Sequence, residues 1–357
     1  MKKKLANTFE KIGWALSVVK RVVVPSQAGK DALAKAVELN PDNGTHFIAL
    51  GVAQHGLQKN EIAIENLLTG IDLEGEKAYS LHSLGVAYSD LKRYDDAIAA
   101  YTKAIELDAN YAYPHNGLGN AYKDLKRYDD AIAAYTKAIE LDANYATPHN
   151  GLGNAYKDLK RYDDAIAAYT KAIELDDNFV YAYDNLGDVY IILRECDDAI
   201  AAYKKAIETD PNYIYPHNSL GKVYRELKRY DEAITAYEKV AELEPDSAYS
   251  HTELGLSLAL GNQMSKAHTA WQTALPLFED KELDRLHKAL YTLALGDNIS
   301  AVQLLDQIFQ LTIEPQNIDL VLKDVDLLTQ CSSQPNGLND FTTKLKAKKS
   351  ELENPSD

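Results

Sequence analysis

The stretch Ala112–Tyr145, AYPHNGLGNAYKDLKRYDDAIAAYTKAIELDANY, decides the fold of this chain. It recurs immediately as residues 146–179 with only three substitutions. A fixed period in this range is typical of stacked repeats, because one such unit cannot bury its apolar face alone. The sequence therefore predicts an architecture that grows by the addition of similar units.

Two apolar stripes inside the repeat predict two helices. One face of the first helix carries His115, Leu118, Gly119 and Tyr122. One face of the second helix carries Ala131, Tyr135, Ala138 and Ile139. The segment between them, Leu125–Tyr128, is long enough only for a tight turn, and Pro114 suits the first turn of the first helix. Each unit is therefore predicted to be a helical hairpin.

Small and aromatic residues keep one register along much of the chain. Glycine recurs at Gly51, Gly85, Gly119, Gly153, Gly187, Gly221 and Gly255, and alanine at Ala63, Ala97, Ala131, Ala165, Ala199, Ala233 and Ala267. A large ring recurs at Tyr101, Tyr135, Tyr169, Tyr203, Tyr237 and Trp271, where it is expected to fill the gap that the small residues leave. With these spacings the chain resembles the tetratricopeptide repeat family. The resemblance implies an all-α fold, a right-handed superhelical α-solenoid of stacked antiparallel helical hairpins with terminal capping helices.

The repeat register divides the chain into three parts. Residues 1–43 are expected to form an amphipathic helix and a first degenerate hairpin, and residues 316–357 a capping pair with a frayed tail. Between them lie the repeats 44–77, 78–111, 112–145, 146–179, 180–213, 214–247, 248–281 and a degenerate 282–315. Because a solenoid grows by addition, we expect one continuous body.

Composition excludes several classes of protein. The formal charge of −16 argues against a nucleic-acid partner, since phosphate binding draws on clustered Lys and Arg. The two cysteines, Cys196 and Cys331, form no CxxC pair, so neither a disulfide framework nor a zinc site is indicated and a reducing cytoplasm is expected. No apolar run approaches the length of a membrane-spanning helix.

The amino-terminal segment differs in charge from the rest. Residues 1–30 carry seven basic residues and one acidic residue, which leaves −22 on the remainder. An apolar stripe at helical spacing runs through Leu5, Phe9, Ile12, Leu16, Val19 and Val23. We expect a helix docked on its neighbour, and a membrane-surface helix formed by residues 1–24 is the alternative.

No motif in the sequence indicates catalysis or a cofactor. The string that begins at Gly117 resembles GxGxxG but has Tyr122 in the last position and no strand before it. The repeated histidines fall on equivalent helices, too far apart to share one metal ion, and packing is the better interpretation. Neighbouring carboxylates such as Asp129 and Asp130 do not face each other on a helix. We therefore expect no enzyme activity, no cofactor and no metal.

The other side of each first helix is the remaining candidate for a functional surface. In the resembled family this side lines the concave groove, where extended peptides bind. The predicted groove residues are Tyr79, Tyr113, Asn116, Asn120, Lys123, Asn150, Asn154, Lys157, Tyr181, Asp184, Asp188, Tyr215, Asn218, Lys222 and Arg225. Side-chain amides both donate and accept, so a ladder of them could pair with a peptide backbone. The lysines of the carboxylate-clamp subtype are absent at Asn116 and Asn150, so a chaperone carboxyl terminus is not expected.

The sequence thus favours a non-catalytic adaptor or scaffold that binds an extended segment of a partner protein. One alternative is a membrane-surface scaffold that self-associates into a homo-oligomer, anchored by its basic amino terminus. Another is the sensor subunit of a separate enzyme. The bland interpretation of the polar positions is a solvated helix face that was repeated by internal duplication.

Overall fold

The structure is a computed structural model that describes residues 8, 18–19, 22–23, 27–311, 313–331 and 334–353. These residues group into two compact units, unit 1 up to Val189 and unit 2 from Tyr190 onward. The sequence predicted one continuous body across the repeats.

Apart from one short β pair, the described residues form helices. The helices of unit 1 are α1 (Gln27–Leu39), α2 (Gly44–His55), α3 (Asn60–Glu74), α4 (Ala78–Asp90), α5 (Tyr94–Leu107), α6 (Ala112–Asp124), α7 (Tyr128–Leu141), α8 (Ala146–Asp158) and α9 (Tyr162–Leu175). Helix α10 (Val180–Ile192) ends in unit 2, which continues with α11 (Cys196–Thr209), α12 (Ile214–Glu226), α13 (Tyr230–Leu243), α14 (Ala248–Leu260), α15 (Met264–Ala274), α16 (Glu282–Ala294), α17 (Asn298–Ile308), α18 (Pro315–Thr329) and α19 (Leu338–Glu353). A 3₁₀ turn, Leu275–Leu277, follows α15.

The helices pair as hairpins, as the sequence predicted. In unit 1 the hairpins are α2–α3, α4–α5, α6–α7 and α8–α9, and α3, α5 and α7 also pack on the first helix of the next hairpin. The first helices α2, α4, α6 and α8 contact one another in turn. They form one surface, which we call the first-helix face of unit 1.

A residue in the left-handed conformation ends most first helices. Lys126 has φ 60°, and the same position in the neighbouring hairpins holds Lys92 and Lys160 with φ 58° and 60°. Left-handed backbone lets the Arg127 N–H turn back and donate to the Tyr122 carbonyl at 2.8 Å. The Arg127 guanidinium then stacks 4.4 Å above the centre of the Tyr122 ring. The turn is therefore fixed without the glycine that helices usually place there.

Large rings sit between glycines in the core of unit 1, which confirms the predicted packing. The side chain of Tyr135 has no exposed surface. A Cβ atom added to Gly119 would lie 2.5 Å from the nearest Tyr135 ring atom, and one added to Gly151 of the next hairpin would also lie 2.5 Å from that ring. Only glycine on both sides leaves room for the ring, so each ring joins two successive hairpins.

Unit 2 continues the hairpin pattern and then adds a different ending. Helices α12–α13, α14–α15 and α16–α17 pair in sequence, and α18 and α19 form a last hairpin. Helix α18 packs on α16 but also on α14, so it crosses the first-helix side of unit 2. Its core-facing residues are buried: Ile318, Val321, Val325 and Leu328.

The amino-terminal prediction is wrong at its far end. Val18–Val19 pairs antiparallel with Val22–Val23, so the helical stripe that was predicted to reach Val23 does not continue through these residues. The β-branched valines on both sides of Lys20-Arg21 favour extended backbone over a helix. The rest of the predicted amino-terminal helix lies outside the described residues, apart from Thr8, which is helical.

Candidate functional site

The four tyrosines predicted at the groove edge are all exposed. The exposed fraction is 46% for Tyr79, 49% for Tyr113, 53% for Tyr181 and 61% for Tyr215. Each lies at the second residue of a first helix. Exposed rings of this size at equivalent positions are typical of binding surfaces.

Two of these tyrosines border a cavity of about 350 Å³ on the first-helix face of unit 1. The cavity lies between α2, α4 and the start of α6. Its lining consists of Val52, His55, Tyr79, His82, Ser83, Val86, Tyr111 and Tyr113. We call this site the tyrosine pocket.

The rings of the tyrosine pocket contact one another. The ring centres of His82 and Tyr111 are 5.5 Å apart at a steep angle, and those of Tyr111 and Tyr113 are 5.6 Å apart. Tyr113 also lies 5.0 Å from Tyr145, which is in the turn before α8. Edge-to-face and tilted contacts at these distances are mutually stabilising, so the cluster holds its shape without a ligand.

Burial sets the charge state of these rings. It lowers the pKa of His82 to about 4 and raises the pKa of Tyr111 above its ordinary value. Both side chains are therefore neutral at pH 7. One charged group lies at the rim, where the Asp90 carboxylate is 2.8 Å from Nε2 of His55.

Sequence reasoning found Tyr79 and Tyr113 but missed the rest of the pocket. The repeat register held a signal for His82, because it lies 34 residues before Asn116, one of the predicted groove positions. Val86 likewise lies 34 residues before Asn120. Tyr111 lies in the turn before α6 and has no place in a pattern read along helices.

Two of the predicted asparagines, Asn120 and Asn154, serve the fold. The Tyr135 hydroxyl donates to Asn120 Oδ1 at 2.7 Å, and the Tyr169 hydroxyl donates to Asn154 Oδ1 at 2.8 Å. These amides are the hydrogen-bond acceptors for phenols whose rings are buried. A buried hydroxyl that has an acceptor costs less free energy than one that is left unpaired. The expected free ladder of amides is therefore largely occupied.

Two further asparagines are placed differently from the prediction. Asn116 was expected to point outward, but it is only 8% exposed because the neighbouring first helices cover it. Asn150 is half-buried, and its Oδ1 accepts from Asn185 Nδ2 at 3.1 Å. Neither side chain presents a free amide to solvent.

The predicted charged residues of unit 1 lie close to carboxylates. Lys123 Nζ is 3.2 Å from the Asp124 carboxylate, and Lys157 Nζ is 3.5 Å from that of Asp188. Asp184 is half-buried on α10. The lysines predicted on α6 and α8 therefore have carboxylate partners within the chain.

In unit 2 the predicted residues Lys222 and Arg225 lie beside a cavity that the chain's own α18 also lines. Arg225 forms an ion pair with Glu253 at 2.7 Å and lies 5.4 Å from the centre of the Tyr237 ring. A cavity of about 820 Å³ remains beside it, lined in part by the exposed Lys222 and by Asp324 of α18.

The last helices are held there by hydrogen bonds. The Tyr291 hydroxyl donates to the Asp324 carboxylate at 2.6 Å, and Nε2 of His287 lies 3.4 Å from the same group. Asn218 is half-buried near this face on α12, at the position that corresponds to Asn116. Unit 2 thus carries an internal polar network where unit 1 carries an open aromatic pocket.

The described part of the chain contains no cluster of side chains suited to a metal ion. No group of three or more His, Cys, Asp or Glu side chains is placed to hold a metal ion within the ranges given above. Repeated histidines contact the backbone instead, as at His217 and His251, whose Nε2 atoms lie 3.0 and 2.8 Å from proline carbonyl oxygens. Among the described helices, none has the length and apolar character needed to cross a bilayer.

Family models match several of the hairpins. The model described as TPR repeat matches residues 119–160, 195–227 and 221–261, and the model described as Tetratricopeptide repeat matches residues 78–111 and 146–179. The chain is a tetratricopeptide repeat protein.

Solved structures share the fold of this tetratricopeptide repeat protein. A tetratricopeptide repeat protein from Parabacteroides merdae is 15% identical over 71% of this chain and 99% of its own, with a TM-score of 0.55. The Cut9-Hcn1 hetero-tetramer of the APC/C contains a chain that is 20% identical over 81% of this chain and 54% of its own, with a TM-score of 0.53. PilF of Pseudomonas aeruginosa is 16% identical over 62% of this chain and 99% of its own, with a TM-score of 0.50. No curated protein sequence matches the chain significantly.

Membership in the tetratricopeptide repeat family supports a role in protein interaction. Stacked hairpins present extended surfaces that are built from many equivalent side chains, and such surfaces suit the binding of other proteins. In this tetratricopeptide repeat protein the tyrosine pocket is a mostly apolar, concave feature of unit 1's first-helix face.

Proposed function

We propose that this chain is a non-catalytic scaffold that binds an extended segment of a partner protein along the first-helix face of unit 1. The tyrosine pocket carries the proposal, because it combines two half-exposed rings with a preformed apolar cavity. Ligand sites are typically concave and mostly apolar, with a few polar groups at the edge. The two free cysteines are compatible with a cytoplasmic location, which we include in the proposal.

Tyrosine rings, rather than amides, are the proposed anchors. A hydrogen bond contributes only about 0.5 to 1.5 kcal/mol net, and micromolar binding needs about 8 kcal/mol. Because Asn120 and Asn154 already accept from Tyr135 and Tyr169, they supply little to a ligand. Buried aromatic anchors are among the side chains that contribute most to protein interfaces.

Partner recovery with single-ring variants tests this function. The full chain is used to capture proteins from a lysate of its source organism, beside Tyr79→Ala and Tyr113→Ala. Tyr215→Ala is the matched control, because Tyr215 is equally a first-turn tyrosine with an exposed ring but lies in unit 2. We expect the two pocket variants to lose a partner that wild type and the Tyr215 variant retain. Equal recovery by all four proteins, with unchanged circular dichroism, would reject the assignment.

A further inference from the structure

We propose that the tyrosine pocket is an aromatic cage for a positively charged side chain, so that the partner segment inserts a Lys or Arg there. This inference rests on the proposed function and adds the chemical class of the ligand. Three phenol rings, those of Tyr79, Tyr111 and Tyr113, line one small cavity together with His82. The face of an aromatic ring carries negative charge density and attracts cations.

The rings around His82 carry no positive charge that would oppose such a ligand. Of the described residues, those that line the pocket include no Lys or Arg. Its histidine with the strongest ring contacts, His82, is kept uncharged at neutral pH by burial among Tyr101, Tyr111 and Tyr113. A cationic side chain that entered the cavity beside His82 would therefore meet neutral rings, and it would also contact apolar groups such as Val52 and Val86.

Negative charge at the rim and over the whole unit complements a basic ligand. The Asp90 carboxylate contacts His55 at the cavity edge and is itself 45% exposed, so it is accessible to a cationic ligand. Residues 27–189 carry fifteen Lys and Arg against twenty-six Asp and Glu, a net charge of −11. A field of this sign concentrates basic segments near the surface and disfavours acidic ones.

The same geometry argues against a plain apolar anchor as the preferred occupant. A leucine side chain or a proline ring would gain only the free energy of apolar contact with the cavity wall. An ammonium or guanidinium group gains that contact through its aliphatic stem and also the attraction of the ring faces and of Asp90. Arg127 already uses this interaction in the fold, since it stacks 4.4 Å above the Tyr122 ring.

A matched pair of small probes tests the charge preference. Choline and 3,3-dimethylbutan-1-ol have nearly the same shape and differ in charge. Each is titrated into the full-length chain with ring-labelled tyrosine, and binding is followed through the NMR signals of Tyr79 and Tyr113. Cation–π attraction predicts that choline binds roughly five- to thirtyfold more tightly than the alcohol.

Substitutions test whether the preference for the charged probe depends on the tyrosine rings. Tyr113→Leu is expected to reduce the ratio of the two affinities toward one, whereas Tyr113→Phe is expected to preserve it because the ring face remains. Asp90→Asn should weaken the binding of choline and leave the affinity for the alcohol unchanged. Tyr215→Leu is the control and should change neither affinity, since Tyr215 lies outside the pocket.

Several results would overturn the cage. Equal affinities for the two probes would make the pocket a simple apolar anchor site. Equal shifts of the Tyr215 signal by choline would show general attraction to an acidic surface, and absence of saturable binding by either probe would remove the site. These outcomes are separable from the proposed function, because a partner lost by Tyr79→Ala and Tyr113→Ala would still support the scaffold if choline showed no preference.

Discussion

The hydrogen bond between Tyr135 and Asn120 gives the sharpest prediction about stability. Removing the amide by Asn120→Ala deletes the acceptor of a phenol whose side chain is fully buried. Burial also raises the pKa of Tyr135, so the hydroxyl stays protonated and still needs an acceptor. An unsatisfied buried hydroxyl costs about 1 to 3 kcal/mol, and we expect Asn120→Ala to lower the free energy of unfolding by about 2 kcal/mol.

A double-mutant cycle separates this bond from other effects. Tyr135→Phe removes the donor and is expected to cost about 1 kcal/mol, because the exposed Asn120 amide can then bond to water. The double variant should cost little more than Tyr135→Phe alone, which gives a coupling energy of about 1 to 2 kcal/mol. Urea unfolding followed by circular dichroism measures all four proteins.

The chain supplies its own replicate and control for the cycle. Asn154 and Tyr169 repeat the bond at 2.8 Å in the next hairpin and should show the same coupling. Asn110→Ala, in an exposed turn, should change the free energy of unfolding by less than about 0.5 kcal/mol. A coupling energy near zero in both hairpins, or an Asn120→Ala variant as stable as wild type, would refute the structural role assigned to these amides.

Three further predictions concern pH, packing and the turns. Burial lowers the pKa of His82 to about 4, so between pH 6.5 and 4 the unfolded chain binds a proton that the folded chain does not. Wild type should therefore lose about 2 kcal/mol of stability between pH 7.5 and 5, and the His82→Asn variant should not show this loss. Urea unfolding at both pH values measures the difference. Gly119→Ala places a Cβ 2.5 Å from the Tyr135 ring, and overpacking of about 1 to 3 kcal/mol should exceed the gain of about 1 kcal/mol in helix propensity; an unchanged or higher melting temperature would contradict this. Lys126→Gly and Lys160→Gly relieve left-handed backbone at φ 60° and should together stabilise the chain by about 1 kcal/mol, whereas a lower urea midpoint would show that no strain is present.

The hairpins were predictable from the sequence because their signal is local and repeated. A stripe of four residues fixes which side of each helix is buried, and the glycine register shows where rings such as Tyr135 must fit. The same pattern recurs in successive hairpins, so each repeat supports the prediction independently. The short β pair at Val18–Val19 was missed because a helical period outweighed the extended preference of consecutive valines.

The state of individual polar side chains was not predictable in the same way. The helix period places Asn120 opposite the apolar stripe, but it cannot show that a hydroxyl fifteen residues later reaches the amide. Asn116 is covered by neighbouring helices, and the distance between these helices depends on the side chains of several repeats. The contact of α18 with α14 joins distant residues that belong to no repeat position, so no period reveals it.

Site-specific photo-crosslinking tests the central claim most directly. A benzoylphenylalanine placed at Tyr113 lies in the tyrosine pocket, whereas the same residue placed at Ile62 lies on the second helix of a hairpin at a site that is 47% exposed. Illumination of the full-length chain in source lysate is predicted to join a partner protein to position 113 and not to position 62. Crosslinking of that partner from position 62 alone would contradict the account.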